Sequence, residues 1–257
     1  MRIHAAIFDV DGVIWIRGGL ATGAAGLFSD LSSSGFPFCF LTNDCSTSKL
    51  QRYSILADAG LAVTPSRLIT AAEVTNRWLI ASGVKTVQYL GSPSALDDLA
   101  RELVVVRDGP VDAVVVGDLF ANYERRLLDQ AAAAVLSGAK LVALQRNKRW
   151  SDGESWYIDN GFWVAGLEYA TDTKAIVIGK PHSTAYADAL RMLHRPELAP
   201  NQVAVVSDDA ESDLKGAKED GFVTVHFGHA AYSSRWVDHH VESMFQLRSL
   251  FGGSFNV

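Results

Sequence analysis

Several short runs in this chain are almost wholly apolar, and they limit the architecture more than any other feature. Phe36-Pro37-Phe38-Cys39-Phe40-Leu41, Ala175-Ile176-Val177-Ile178 and Val203-Ala204-Val205-Val206 offer water no polar face. A strand without a polar face is buried on both sides, as in a parallel sheet covered by helices. Between such runs stand stretches with helical spacing. Residues 21–33 place Ala24, Leu27, Phe28 and Leu31 on one side, and residues 48–59 run to Gly60. Strand and helix in alternation mean parallel strands joined by crossover helices, with ligands held at the carboxyl ends of the strands. The expected fold is α/β, a doubly wound parallel-sheet core of Rossmann-like type.

The same rhythm starts again at Gly83. Strands are expected at 84–90, 111–116 and 140–144, with helices at 94–103 and 123–136. No Ser/Gly linker flanks this segment, which makes it an insertion rather than a tethered domain. The expected division is a core of residues 1–80 and 175–257 with an inserted α/β domain at 81–174. Thr64-Pro65 opens a helical stretch through Ala71, Val74, Trp78 and Leu79, and 175–178 returns to a buried strand. Residues 145–161 show no period and hold Trp150, Trp156 and Tyr157; a loop of that length is usually functional. Trp150, Trp156 and Trp163 are read as packing residues ahead of a substrate-stacking role.

With 257 residues, 48% of them hydrophobic and 20% charged, there is ample material for a core. Against 29 acidic residues stand 23 basic ones, a formal charge of -6, which disfavours nucleic acid as a partner. Cys39 and Cys45 are too few for a disulfide framework or a zinc site. Met1 is followed almost at once by the first strand, and no apolar stretch is long enough to span a bilayer. The expectation is a cytoplasmic protein with no membrane association.

Chemistry gathers at the expected strand ends. Ile7-Phe8-Asp9-Val10-Asp11-Gly12 climbs to two carboxylates that share a face, since alternate residues of a strand do. Like charges so close call for a cation. Ser207-Asp208-Asp209-Ala210-Glu211-Ser212-Asp213 supplies four more acids at another strand end. An acidic helix start would look the same, but beside Asp9 and Asp11 the oxygen-only set suits Mg²⁺. Thr42 and Asn43 offer a hydroxyl and an amide where a strand meets a helix, as an anion site or as a cap. Lys180, between Gly179 and Pro181, stands where it neutralises a carboxylate and a phosphate together. Combined, these parts make a phosphoryl-transfer site.

Asp9-x-Asp11-Gly12, Leu41-Thr42-Asn43, Gly179-Lys180-Pro181 and the 208–213 stretch resemble, in order and spacing, the four motifs of the haloacid dehalogenase-like phosphatases. The α/β insertion between the second and third motifs resembles the NagD-like branch, whose cap domain sits there. The resemblance implies a Mg²⁺-dependent phosphatase acting on small phosphorylated metabolites through an aspartyl-phosphate. Asp9 would be the nucleophile, and Asp11 the general acid/base with its backbone carbonyl on the metal. Thr42 and Asn43 would bind phosphate alongside Asp11, and Lys180 would orient Asp9 and the phosphoryl group. Asp208 would join Asp9 and Asp11 as a metal ligand, supported by Asp209 and Asp213 through water or hydrogen bonds. The branch also implies pyrophosphate, phosphohistidine or phospholysine as alternative substrates, and a homodimer through the cap. Two departures stand out: Ser207 where the family usually has Gly, and Asp44-Cys45 in place of small or amide residues. Those departures are the support for a third reading, a catalytically weak binding or regulatory protein with the same fold.

Overall fold

Ala5–Phe8 is buried at every residue and lies inside a six-stranded sheet. The computed structural model describes residues 3–62, 64–119, 123–151, 154–228 and 234–252. Across the sheet the order is His239–Val241, Val223–Phe227, Val203–Ser207, Ala5–Phe8, Phe38–Thr42 and Leu68–Thr70. Phe8 stands in parallel register with Val206 on one side and Phe40 on the other. The chain leaves Ala5–Phe8 toward one edge, then returns to build the other. That reversal makes the carboxyl end of Ala5–Phe8 the switch point, where α/β sheets open a crevice for ligands. The fold is the doubly wound α/β core that the apolar runs predict.

The first strand is held from below by aromatic packing. Phe8 meets Phe28 edge-on at 4.9 Å and Phe251 at 5.9 Å, and Phe251 stacks on Phe36 at 5.4 Å. Helix Ala24–Ser33 buries the four apolar residues of its predicted stripe, and helix Met244–Phe251 buries Met244, Leu247 and Phe251. Burial of this kind contributes about 1.5–3 kcal/mol per large side chain.

A second sheet has five strands, all paired in parallel, in the order Ile176–Val177, Lys140–Ala143, Ala113–Val116, Thr86–Leu90, Val104–Val105. Helices Arg125–Leu136 and Gly161–Thr171 close its core around Val114, Val116, Ala131 and Val164. The chain divides into two compact units, 1–42 with 50–69 and 180–257, and 43–49 with 70–179.

Some local expectations are corrected. The apolar run at 175–178 yields only the two-residue strand Ile176–Val177, half-buried, and it joins the second sheet through Val142 and Ala143 rather than returning to the core. Apolar content marks a strand without naming its partner. The helical stretch from Thr64 begins instead as a single turn, Pro65–Arg67, and an edge strand, Leu68–Thr70. Helix Ala71–Ala81 starts only there, where Thr70 Oγ1 accepts from Glu73 N at 3.2 Å. Within 145–161 an antiparallel pair forms between Arg149–Ser151 and Trp156–Ile158, with Trp150 stacked on Tyr157 at 4.5 Å. Trp163 stacks on Tyr123 at 5.0 Å and packs against the second core, while Trp156 is exposed. Among the described residues, no helix is long and apolar enough to cross a membrane.

Candidate active site

Asp9 is the first residue past the central strand, and its N–H still donates to Val206 O at 2.9 Å. The strand therefore delivers this carboxylate to the switch point on a rigid support. Asp9 Oδ1 accepts from Val10 N at 2.7 Å and lies 2.6 Å from Lys180 Nζ. The same ammonium donates to Asp213 Oδ2 at 2.7 Å, so Lys180 bridges two carboxylates while only 4% exposed. Tyr186 steadies the far side by donating to Asp213 O at 2.7 Å. Ser207, the last residue of its strand and fully buried, places Oγ 3.0 Å from Asp213 Oδ2 and 3.4 Å from Asp9 Oδ2. A hydroxyl has one proton to donate, and the shorter approach assigns it to Asp213.

Burial comes first, and neighbouring charge second, in shifting these groups. Burial pushes the Asp9 carboxyl well above the ordinary carboxylate range; Lys180 opposes that shift, and Asp213 and Asp208 reinforce it. Burial works against the Lys180 ammonium, yet Asp213 and Asp9 outweigh it and hold the lysine protonated. Asp208 is pushed up to about 6, first by burial of its carboxylate and then by the charge of Asp213. Asp209 rises for the same two reasons, and its side chain also accepts from Ser212 N at 2.9 Å to start the turn at Ala210–Leu214.

The turn after Asp9 folds back on itself, with Ile14 N and Trp15 N both donating to Val10 O at 2.8 Å. Gly12 has φ +83°, and a Cβ there would lie 2.1 Å from Asp208 Oδ2. Only glycine meets both conditions, and through it Asp208 comes up against the Asp9–Asp11 turn. Asp11 reaches outward with about half its side chain exposed. Thr42 Oγ1, at the end of Phe38–Thr42, donates to Asp11 Oδ2 at 3.3 Å, and the Arg52 guanidinium donates to Oδ1.

The first unit thus brings together Asp9, Asp11, Thr42, Lys180, Asp208, Asp209 and Asp213. Asn43 belongs to the second unit, where its amide oxygen faces the Gly179 backbone so closely that a Cβ on that glycine would stand 2.7 Å away. Asp44 caps its own loop: its carboxylate accepts from Ser46 N at 2.9 Å, Ser46 Oγ at 2.6 Å and Thr47 Oγ1 at 2.5 Å. Sequence reasoning missed two participants. Ser207 contributes a hydroxyl where the sequence showed only a departure from the family's usual glycine. Arg52 gave one faint signal, a basic residue four positions before Leu56 on the same helix face.

The donor set fits a hard divalent cation. Every candidate ligand is oxygen, the carboxylates of Asp9, Asp208 and Asp213 outnumber the single Lys180, and burial with mutual repulsion raises Asp9 and Asp208 together. Among the described residues, no three His, Cys, Asp or Glu side chains form a preformed cage. Mg²⁺ needs none, since it keeps several waters and takes one or two carboxylates.

Residues 6–103 match the model of a family described as haloacid dehalogenase-like hydrolase, and residues 177–244 match one described as HAD-hydrolase-like. Over 224 residues the chain is 27% identical to haloacid dehalogenase-like hydrolase domain-containing protein 2 of Mus musculus, covering 87% of this chain and 83% of that one. It is 24% identical over 232 residues to the phospholysine phosphohistidine inorganic pyrophosphate phosphatase of Xenopus laevis, covering 87% and 82%. Among solved structures, NagD from E. coli K-12 superposes with a TM-score of 0.84 at 24% identity, covering 95% of this chain and 98% of that one.

Proposed function

We propose that the chain is a phosphoric monoester hydrolase of the haloacid dehalogenase-like family whose models it matches over 6–103 and 177–244, and within that family a Mg²⁺-dependent phosphatase of small phosphorylated metabolites. One observation carries the reading. Lys180 Nζ joins Asp9 and Asp213 at 2.6 and 2.7 Å, directly at the switch point of the sheet.

In the proposed reaction an Asp9 oxygen attacks phosphorus, the bond from phosphorus to the leaving oxygen breaks, and a proton passes from Asp11 to that oxygen. The product is an aspartyl-phosphate on Asp9. Water then attacks the same phosphorus, gives its proton to Asp11, and the bond from Asp9 to phosphorus breaks. Lys180 holds Asp9 in place and counters the charge of the phosphoryl oxygens, with Thr42 and Asn43 as further donors to phosphate. The metal would rest on the carboxylates of Asp9 and Asp208 and the backbone carbonyl of Asp11, with Asp209 and Asp213 supporting them. When bound, Mg²⁺ offsets charge between the carboxylates and the phosphate. The second unit, 43–49 with 70–179, would serve as the cap domain that selects the substrate, and the first unit as the catalytic core. We place the protein in the cytoplasm, with no nucleic-acid or membrane partner and a homodimer through the cap.

The test is phosphate release by purified protein from 4-nitrophenyl phosphate and a panel of sugar and small-metabolite phosphates, with and without Mg²⁺. Release that needs Mg²⁺ and disappears in Asp9→Asn is expected. Pyrophosphate, phosphohistidine and phospholysine join the panel because the Xenopus relative is named for them. Wild-type protein that releases no phosphate from any of these would favour the catalytically weak binding protein instead.

A further inference from the structure

Helix Lys49–Asp58 buries only two of its residues, Arg52 and Leu56. They are four apart and so lie on one face, the position where a helix normally spends apolar side chains. An arginine there is 8% exposed, and a buried guanidinium is tolerated only when its charge is answered. Asp11 answers it, paired to Arg52 through Oδ1, while Thr42 Oγ1 holds Oδ2 at 3.3 Å. Both oxygens of the carboxylate are therefore gripped, one from the helix and one from the end of strand Phe38–Thr42. Asp9 has the same kind of support from Lys180. Each of the two carboxylates in the proposed reaction is met by a nearly buried cation, Lys180 being shared with Asp213.

We infer that Arg52 is a positioning residue for proton transfer: it fixes the Asp11 carboxylate toward the leaving-group oxygen and so determines how poor a leaving group the enzyme can expel. The inference rests on the phosphatase reading above. Its consequence is selective. An alkoxide must be protonated as its bond to phosphorus breaks, whereas 4-nitrophenolate departs without a proton. Loss of Arg52 therefore falls on alkyl phosphates and much less on the nitrophenyl ester.

The experiment compares kcat/KM for 4-nitrophenyl phosphate and for the best alkyl phosphate of the panel. The proteins are wild type, Arg52→Met, Arg52→Lys, Asp11→Asn and the Arg52→Met/Asp11→Asn double variant. A well-placed general acid is worth about 10²–10⁴-fold, so partial misplacement should cost about 10–100-fold on the alkyl ester. The aryl-to-alkyl ratio should rise by about tenfold or more and fall back in part with lysine. In the Asp11→Asn background, Arg52→Met should add less than about a twofold further loss, since both act on one step. Equal losses on the two esters, additive losses in the double variant, or a gain on the alkyl ester would overturn the inference. If Arg52→Met does not fold, the ratio for Arg52→Lys against wild type decides the matter. Wild type inactive on both esters with Mg²⁺ present would bring down the phosphatase reading and this inference with it.

Discussion

Replacing Lys180 with methionine keeps most of the side-chain volume and removes the one charge that bridges Asp9 and Asp213 at 2.6 and 2.7 Å. At an effective dielectric of about 20, each contact is worth about 6 kcal/mol of gross Coulomb attraction. Desolvating the ammonium and both carboxylates consumes most of that, and removing one partner of a buried ion pair typically costs about 3–5 kcal/mol. For a protein of this size about 1 kcal/mol moves the melting temperature by about 2–4 °C, so a fall of about 6–20 °C is expected. Thermal unfolding in excess chelator reads it without interference from metal binding. The reasoning also specifies the cause, two carboxylates left without a counter-charge. Lys180→Met/Asp213→Asn should therefore melt above Lys180→Met alone, even though it carries one more substitution. A single variant within about 2 °C of wild type, or a double variant that melts lower still, would refute the account.

Two further outcomes follow from geometry and burial. Gly12→Ala places a non-glycine residue at φ +83° with its Cβ 2.1 Å from the present position of Asp208 Oδ2. It should lose about 1–2 kcal/mol of stability and nearly all phosphate release; wild-type turnover would show that Asp208 need not stand where it does. Burial pushes the Cys39 thiol up to about 12, and it pushes Cys45 up as well, helped by Asp44, Asp118 and Asp159. A raised thiol pKa leaves little thiolate at pH 8, so native protein should react with iodoacetamide far more slowly than unfolded protein at both positions. Rapid native labelling of Cys45 would make it a reactive thiol rather than a small buried side chain.

The parts of the fold that were readable in advance share one property: their burial is written in consecutive residues. Phe38–Thr42 and Val203–Ser207 are buried at every position, and the apolar runs say so. Asp9, Lys180 and the 208–213 acids were found because each follows such a run or a restrictive turn. What escaped depends on tertiary partners. Leu68–Thr70 is three residues long and flows into a strong helical pattern, so its pairing at the sheet edge has no local signature. Ile176–Val177 looks like a core strand, and only its partner places it in the other sheet. Arg52 would be assigned to a solvated helix face by its charge alone; the carboxylate it answers lies 41 residues away. Ser207 reads as a small replacement for glycine until Asp213 comes within 3.0 Å of its hydroxyl.

The phenylalanine packing beneath the first strand gives helix Met244–Phe251 an importance that its distance in sequence from Asp9 conceals. Phe8 immediately precedes Asp9, and Phe251 closes on Phe8 at 5.9 Å with the two rings perpendicular. The same ring lies against Phe36, two residues before the strand that ends in Thr42. One aromatic side chain near residue 250 therefore sets the seating of two strands whose ends carry Asp9 and Thr42. Shortening the chain by that helix would leave every reactive side chain in place in the sequence, yet loosen the floor on which the nucleophile stands.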